Sequence, residues 1–286
     1  MILVTGGTGF IGRHLVARLV QANEDVRVLA RTDAEVPGAE VMQGDIRDLS
    51  SLALAARGCR AVVHLVGIVR ERRGAAFRQI HVRGTETVLR ACQDAGVTRL
   101  LHVSALGTRA GARNRYHRTK WEAEELVRGS SLQATIFRPS VIFGEGNSFI
   151  PTLRSLVRRM PVIPIVGSGT ALVQPIWVAD VVQCFAAALD GLATAGHMYE
   201  LGGPETYGFE QLLDLVSGAE GIDKPKVHLP LPLVRPAVAV LSRLVPGFPL
   251  TSDQLAMLRE DNVCDTAQMR HTFGIEPASI RDHLSD

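Results

Sequence analysis

A short apolar strand runs directly into a glycine-rich turn at the start of this chain: Ile2-Leu3-Val4-Thr5-Gly6-Gly7-Thr8-Gly9-Phe10-Ile11-Gly12. Ile2 to Val4 have the continuous apolar character of a buried strand, and from Phe10 onward Leu15, Val16, Leu19 and Val20 recur with helical spacing. The glycines therefore occupy a strand-to-helix turn. There the backbone can approach a pyrophosphate closely, and the N–H groups and positive dipole end of the helix face the anion. Gly7, Gly9 and Gly12 satisfy G-x-G-x-x-G, while Gly6, Gly9 and Gly12 satisfy the related T-G-x-x-G-x-x-G. In a strand–turn–helix context this motif predicts dinucleotide binding, with Gly6, Thr8, Gly9, Phe10, Ile11 and Gly12 around the phosphates.

The chain's 286 residues, 46% of them hydrophobic, suffice for one large α/β domain or for a domain with a smaller lobe. A net charge of +2 and 5% aromatic residues give no reason to expect nucleic-acid binding. Lysine occurs only at 120, 224 and 226, which makes Lys120 stand out. The four cysteines (Cys59, Cys92, Cys184, Cys264) lie far apart without a C-x-x-C pair, so neither a metal site nor a disulfide scaffold is expected. That pattern fits a reducing compartment, and no signal peptide precedes the strand that starts at residue 2, so a cytoplasmic location is expected. No apolar run reaches membrane-spanning length. The proline-interrupted stretch Leu229–Leu250 reads either as core packing of a small lobe or as a lid or membrane-surface helix, which would make the protein peripheral to a membrane.

Strand-like and helix-like segments alternate through the first half. Strands are expected near 2–5, 25–30, 40–43, 61–65, 99–103 and 132–137, with helices near 11–22, 48–56, 76–95 and 115–128. Such βαβ alternation implies a doubly wound parallel sheet covered on both faces. After Pro139 the pattern loosens into helices near 149–159, 180–190, 208–217, 233–244 and 252–260, separated by Pro and Gly. The expected division is a dinucleotide-binding core at 1–145 with a returning segment near 175–200, and a smaller α/β lobe for substrate at 146–174 and 201–286.

Several residues carry chemistry in this frame. Arg31 follows the second strand, where an acidic residue would hold the adenosine ribose of NAD; a guanidinium there suits a 2′-phosphate. NADP(H) is therefore preferred and NAD(H) remains possible, Asp33 being the residue that would then reach the ribose. Asp45 and Ile46, after the third strand, are placed to read the adenine, while Asp48 suits the cap of the next helix. Tyr116 and Lys120 share one face of a helix at a spacing of four. An ammonium beside a phenol favours the phenolate, which a general acid/base needs, and the same lysine can bond the nicotinamide ribose. Asp180 reads as a helix N-cap. Arg70, Arg72 and Arg73, with Arg109, Arg113 and Arg115, form two basic loops that read either as solvated surface or as an attractor for an anionic substrate or partner.

With Thr5 to Gly12, Gly44-Asp45-Ile46-Arg47-Asp48, His64-Leu65-Val66-Gly67, Tyr116 with Lys120, and Arg138-Pro139-Ser140-Val141-Ile142-Phe143-Gly144, the chain resembles the extended or atypical short-chain dehydrogenase/reductases over nearly its whole length. Val103-Ser104-Ala105-Leu106-Gly107, Tyr116-His117-Arg118-Thr119-Lys120 and Asp261-Asn262-Val263 are similar to the family of the NADP(H)-binding accessory subunit of respiratory complex I (alpha subcomplex subunit nine). NAD-dependent epimerase/dehydratase-like proteins are similar as well. The resemblance implies a Rossmann core, a small C-terminal substrate lobe, and further cofactor contacts from Leu65, Val66, Gly67, Val103, Pro139 and Val141.

It also implies a catalytic set of Tyr116, Lys120 and Ser104, with His81 as a partner, and this chain departs from the family in two places. The family's serine usually falls one position after Ser104, where Ala105 stands; its asparagine usually opens the segment that begins here with His81. A missing donor to a substrate oxygen costs on the order of 100-fold in rate. His81 reads either as a proton-relay substitute that titrates near neutrality or as a packed helix residue. Three functions follow: an NADP(H)-dependent oxidoreductase acting on a small or anionic substrate, a dinucleotide-binding accessory or assembly protein of a respiratory complex, and a nucleotide-sugar epimerase or dehydratase.

Overall fold

The computed structural model describes residues 1–71, 75–230, 232, 234, 236, 238, 252–257 and 260–284. The chain divides into two compact units that interleave in sequence: 1–139, 178–201 and 267–275 form the first, and 140–177, 202–266 and 276–286 the second. Along the first stretch of unit one run β1 (Ile2–Thr5), α1 (Phe10–Gln21), β2 (Val26–Ala30), β3 (Glu40–Gln43), α2 (Leu49–Ala56), β4 (Ala61–His64), a π-helical turn (Arg78–Arg83), α3 (Gly84–Asp94), β5 (Arg99–Val103), α4 (Arg115–Arg128) and β6 (Gln133–Pro139). Unit two opens with β7 (Ile142–Phe143), α5 (Phe149–Arg159), β8 (Ile163–Val166), β9 (Leu172–Val173) and β10 (Ile176–Trp177). The chain returns to unit one as α6 (Val178–Leu189) and β11 (Met198–Leu201), then to unit two as β12 (Tyr207–Gly208), α7 (Phe209–Ala219), β13 (Lys226–Leu229) and α8 (Ser252–Met257). Helix α9 (Ala267–Phe273) belongs to unit one, and a short 3₁₀ turn (Ile280–His283) ends the described chain.

Unit one is a seven-stranded sheet in the order β11-β6-β5-β4-β1-β2-β3, parallel at every pairing. The central strands β1, β4 and β5 are buried along their whole length and largely apolar on both faces, as burial from both sides requires. Leu3, Leu29, Val62 and Leu100 point to one face and join Leu52, Val88 and Leu89 of α2 and α3 in a single core. The intervening residues Val4, Val28, Val63 and Leu101, equally buried, point to the other. Order reverses between β1 and β4, so the C-terminal ends of these two strands flank the switch point where doubly wound sheets bind ligands.

Residues 267–275 were expected in the small lobe, yet α9 packs with unit one. Met269 and Phe273, one turn apart, are buried, and the Phe273 ring meets Phe137 and Tyr199 at 5.7 and 4.9 Å. The expected helix over 76–95 is two elements, because its first turn and a half is π-helical. Asp180 lies inside the first turn of α6 rather than before it, so it does not cap that helix. Asp48 does cap α2, accepting from the Ser50 and Ser51 N–H groups.

Unit two has its own core of Phe143, Ile150, Leu153, Val157, Ile163, Ile165, Leu212, Leu213 and Val216. Its strands form three small pairs, β7 with β10, β8 with β13 and β9 with β12. Asn262 ties several of its loops together. The Ser140 hydroxyl donates to Asn262 Oδ1 at 2.6 Å, the Gln174 N–H donates to the Asn262 carbonyl, and the Asn262 N–H donates to Leu172 O.

Candidate active site

The phosphate cradle is the β1–α1 turn. Gly6 has φ +79°, a conformation that costs a side chain dearly. A Cβ on Gly12 would stand 2.1 Å from Gly6 O, so the helix closes on the turn at a distance no other residue permits. Gly9 caps α1 without a side-chain hydrogen bond, and the first-turn N–H groups are directed out of the helix end. Thr8 and Gly9 are exposed, and Phe10 and Ile11 are half-buried beside them. This cradle, which a Cβ would fill, fits a pyrophosphate.

Arg31, expected at the adenosine end, is exposed after β2. Asp45 accepts from the Arg47 backbone N–H and Nε, both at 2.9 Å, and from the far end of the same guanidinium. The Arg47 hydrogen bond holds the Asp45 carboxyl below its usual range, and the charge of Arg31 adds to the effect. The Ile46 side chain is buried in the core, so only its backbone can serve an adenine.

The opposite end is built where β4, β5 and α4 meet. Lys120 is 2% exposed and its Nζ donates to Val103 O at 2.7 Å. Val103 is the last residue of β5 and Tyr116 lies in the first turn of α4, so the strand end and the helix start bring the chemistry together. After β4, Leu65 is buried, Val66 half-buried and Gly67 exposed; a Cβ on Gly67 would lie 3.6 Å from Lys120 Nζ and 3.8 Å from His81 Nε2. Pro139 is buried at the end of β6; Val141 belongs to unit two, where its carbonyl accepts from the Ile176 N–H. The Ser104 hydroxyl is buried and meets no hydrogen-bond partner among the described residues.

Three expectations change here. Lys120 was expected to depress the Tyr116 phenol; instead burial pushes that phenol up to about 12. Burial lowers Lys120 to about 8, with the Glu124 carboxylate resisting. His81 does not titrate near neutrality, because burial and then the charge of Lys120 hold it down to about 2. Nor are the basic loops uniformly available to an anion. Arg115 pairs with Glu71 through two contacts of 2.7 and 3.0 Å, while Arg72 and Arg73 lie outside the described residues, as does most of Leu229–Leu250.

Sequence reasoning missed a buried polar row below Lys120. Thr5, His64 and His102 are register neighbours on β1, β4 and β5. His64 Nδ1 shares a 2.7 Å hydrogen bond with Thr5 Oγ1, and its Nε2 one of 3.2 Å with Thr85 Oγ1. The two imidazoles lie 5.3 Å apart. The available signal was a histidine near the C-terminal end of two adjacent strands, which becomes a row only once register is known.

A model of the NAD dependent epimerase/dehydratase family matches residues 2–202. The chain is 30% identical over 277 residues to the mitochondrial NADH dehydrogenase (ubiquinone) 1 alpha subcomplex subunit 9 of Arabidopsis thaliana, covering 92% of this chain and 69% of that protein. It is 34% identical over 185 residues to the ceramide reductase of Caulobacter vibrioides, covering 63% of this chain and 58% of that protein. Its fold matches a DesIV double mutant, a dTDP-glucose 4,6-dehydratase of Streptomyces venezuelae solved with NAD and DAU bound, at a TM-score of 0.78 and 22% identity over 100% and 94% of the two chains. Among the described residues, no helix is long and apolar enough to cross a membrane. The family match runs from the first strand of the parallel sheet to just past its last, and this chain belongs to the NAD dependent epimerase/dehydratase family.

Proposed function

We propose that this protein is an NADP(H)-dependent oxidoreductase that interconverts a ketone and a secondary alcohol, with unit one holding the dinucleotide. The observation that carries this reading is the placement of Lys120 Nζ on the carbonyl that ends β5, 3.6 Å from where a Gly67 side chain would begin, on the helix that bears Tyr116. When bound, the dinucleotide supplies hydride at nicotinamide C4. Tyr116, kept neutral by burial, is the proton donor to the substrate oxygen. Lys120, on the same helical face, holds the nicotinamide ribose and stabilises the phenolate left after proton transfer. The Ser104 hydroxyl, just past the end of β5, is buried without a hydrogen-bond partner among the described residues, and it stands in for the hydroxyl missing at Ala105. The name of the Caulobacter relative supports a carbonyl substrate with an apolar chain. The exposed Arg113 supports a negatively charged group on that substrate.

A second reading is a dinucleotide-binding accessory protein of a respiratory complex, in which the cofactor is structural. The name of the Arabidopsis relative favours it, as does the combination of Ala105 with a phenol pushed up to about 12. One experiment separates the two. NADPH deuterated at nicotinamide C4 is bound, a metabolite extract is added, and the label is followed by mass spectrometry beside Tyr116→Phe. Label that leaves only when Tyr116 is present means hydride chemistry, and the deuterated product names the substrate. Label retained on tightly held cofactor overturns the oxidoreductase reading and favours the accessory one.

A further inference from the structure

His81 stands where the family places an asparagine, and its side chain makes contacts that assign it a different duty. It is 1% exposed on the π-helical turn that precedes α3. The Ile68 N–H donates to His81 Nε2 at 3.1 Å, so that nitrogen carries no proton. His81 Nδ1 is then the protonated nitrogen and donates to Thr119 Oγ1 at 2.9 Å. The Thr119 hydroxyl in turn donates toward the carbonyls of Arg115 and Tyr116, at 3.0 and 2.9 Å. One imidazole thus joins the loop after β4 to the first turn of α4. The ring is also packed, parallel to Phe77 at 5.4 Å and edge-to-face with Tyr116 at 5.5 Å.

We propose that His81 is a positioning residue, a neutral strut that fixes the Gly67–Ile68 backbone against the Tyr116–Lys120 helix and so preassembles the nicotinamide-ribose end of the site. This rests on the dinucleotide reading above. Divergent ring nitrogens are what the strut needs, since they bridge two backbone segments from one side chain. A second proton on the ring would set two donors, His81 and the Ile68 N–H, against each other. Facing the ring from the other elements are Lys120, His64 and Tyr116, and the cation disfavours that proton further. Substitution of His81 therefore touches one half of the ligand. Arg31 and Asp45, at the adenosine half, follow β2 and β3, whereas His81 acts beyond β4.

The test compares two ligands on the full-length chain: NADPH, and 2′-phospho-ADP-ribose, which lacks the nicotinamide. His81→Leu keeps bulk and removes both hydrogen bonds, and NADPH binding is expected to weaken about tenfold, as two bonds of this kind imply. Binding of 2′-phospho-ADP-ribose should change less than about twofold. His81→Gln, which retains one donor and one acceptor, should recover most of the NADPH affinity. Thr119→Val, a smaller change that removes only the hydroxyl, should lose several-fold for NADPH alone and keeps the test open if His81→Leu does not fold. Equal weakening of both ligands, or NADPH binding unchanged in His81→Leu and Thr119→Val, overturns the strut. Failure of the wild-type protein to bind either ligand overturns the dinucleotide reading itself, and the strut with it.

Discussion

Lys120 Nζ hangs on the Val103 carbonyl at 2.7 Å, so the cation of the Tyr–Lys pair is anchored to the end of β5. Burial lowers its pKa from the ordinary lysine value to about 8. Below that pH the ammonium is present and can stabilise a Tyr116 phenolate; above it the charge is lost. In the reducing direction, the rate of hydride transfer should be flat from about pH 6 to 8 and then fall about tenfold per pH unit. Lys120→Met should give a low rate with no break near pH 8. Single-turnover oxidation of NADPH across pH checks this, and a wild-type profile that climbs above pH 8 would exclude Lys120 as the working cation.

Acid should unfold this protein early. His64 is held down to about 3 and His81 to about 2, chiefly by burial and then by the charge of Lys120, and His102 lies well below its usual range for the same reasons. Each takes up a proton on unfolding whenever the pH is under the ordinary histidine value near 6.5. Their depressed native values leave stability intact above that pH and remove it as pH falls toward 3. The slope per histidine is about 1.4 kcal/mol per pH unit, so three give a slope approaching about 4. Urea unfolding at half-unit steps from pH 7 to 5 measures it, and a slope below about 1 kcal/mol per unit would mean that these histidines are hydrated rather than dry.

The parts of the site that were legible in the sequence are those held by one segment. The glycine turn needs only β1 and α1, so spacing alone identified the residue at 12 that a Cβ would drive into Gly6 O. Tyr116 and Lys120 share a helix, and four residues put them on one face. The core strands were legible because two buried faces demand an unbroken apolar run. What stayed hidden depends on segments meeting in space. The Thr119–His81–Ile68 chain joins positions up to 51 apart in number, and nothing in the spacing of a histidine and a threonine reports it. The Tyr116 environment was misread for a related reason, since the burial that sets its phenol comes from the surrounding fold and outweighs a neighbour one turn away. Residues 267–273 fall within the 201–286 stretch expected as the small lobe, with no helix expected there, because nothing in the short apolar pair Met269 and Phe273 reports that its partners are Phe137 and Tyr199 of unit one.

Glu124 is fully buried and accepts two hydrogen bonds from the Arg138 guanidinium, at 2.8 and 2.6 Å, and another from Arg128. Arg128 and Arg138 both lie over the Trp121 ring, at 4.8 and 5.9 Å. Removing the Glu124 carboxylate leaves the nearly buried Arg138 with only a 3.6 Å pair to the more exposed Glu200, so Glu124→Gln should destabilise by about 3 kcal/mol, a drop in Tm of about 10 °C. Glu125→Gln, which breaks only an exposed pair with Arg128, should cost less than about 1 kcal/mol. Thermal unfolding of the two variants side by side checks the contrast, and equal losses would show that the buried network carries no special weight.

Arg31 decides between the two dinucleotides if the adenosine end works as its charges suggest. The Asp45 carboxylate nearby would repel a 2′-phosphate, but Arg47 clasps it from both the backbone and the guanidinium, and Arg31 adds its own positive field. Arg31 is exposed, as a phosphate ligand at a cleft edge must be, and Asp33 is equally exposed two residues on. A charge-assisted contact to the 2′-phosphate contributes about 1.5–3 kcal/mol, so Arg31→Asp should weaken NADPH by about 10- to 100-fold and NADH by less than about threefold. Wild-type NADPH affinity should also fall more steeply with added salt than NADH affinity, because only the former carries the extra phosphate charge. Titration of both cofactors against both proteins at two ionic strengths measures each effect. Equal losses on the two cofactors would leave Arg31 an ordinary surface residue and transfer recognition of the ribose to Asp33.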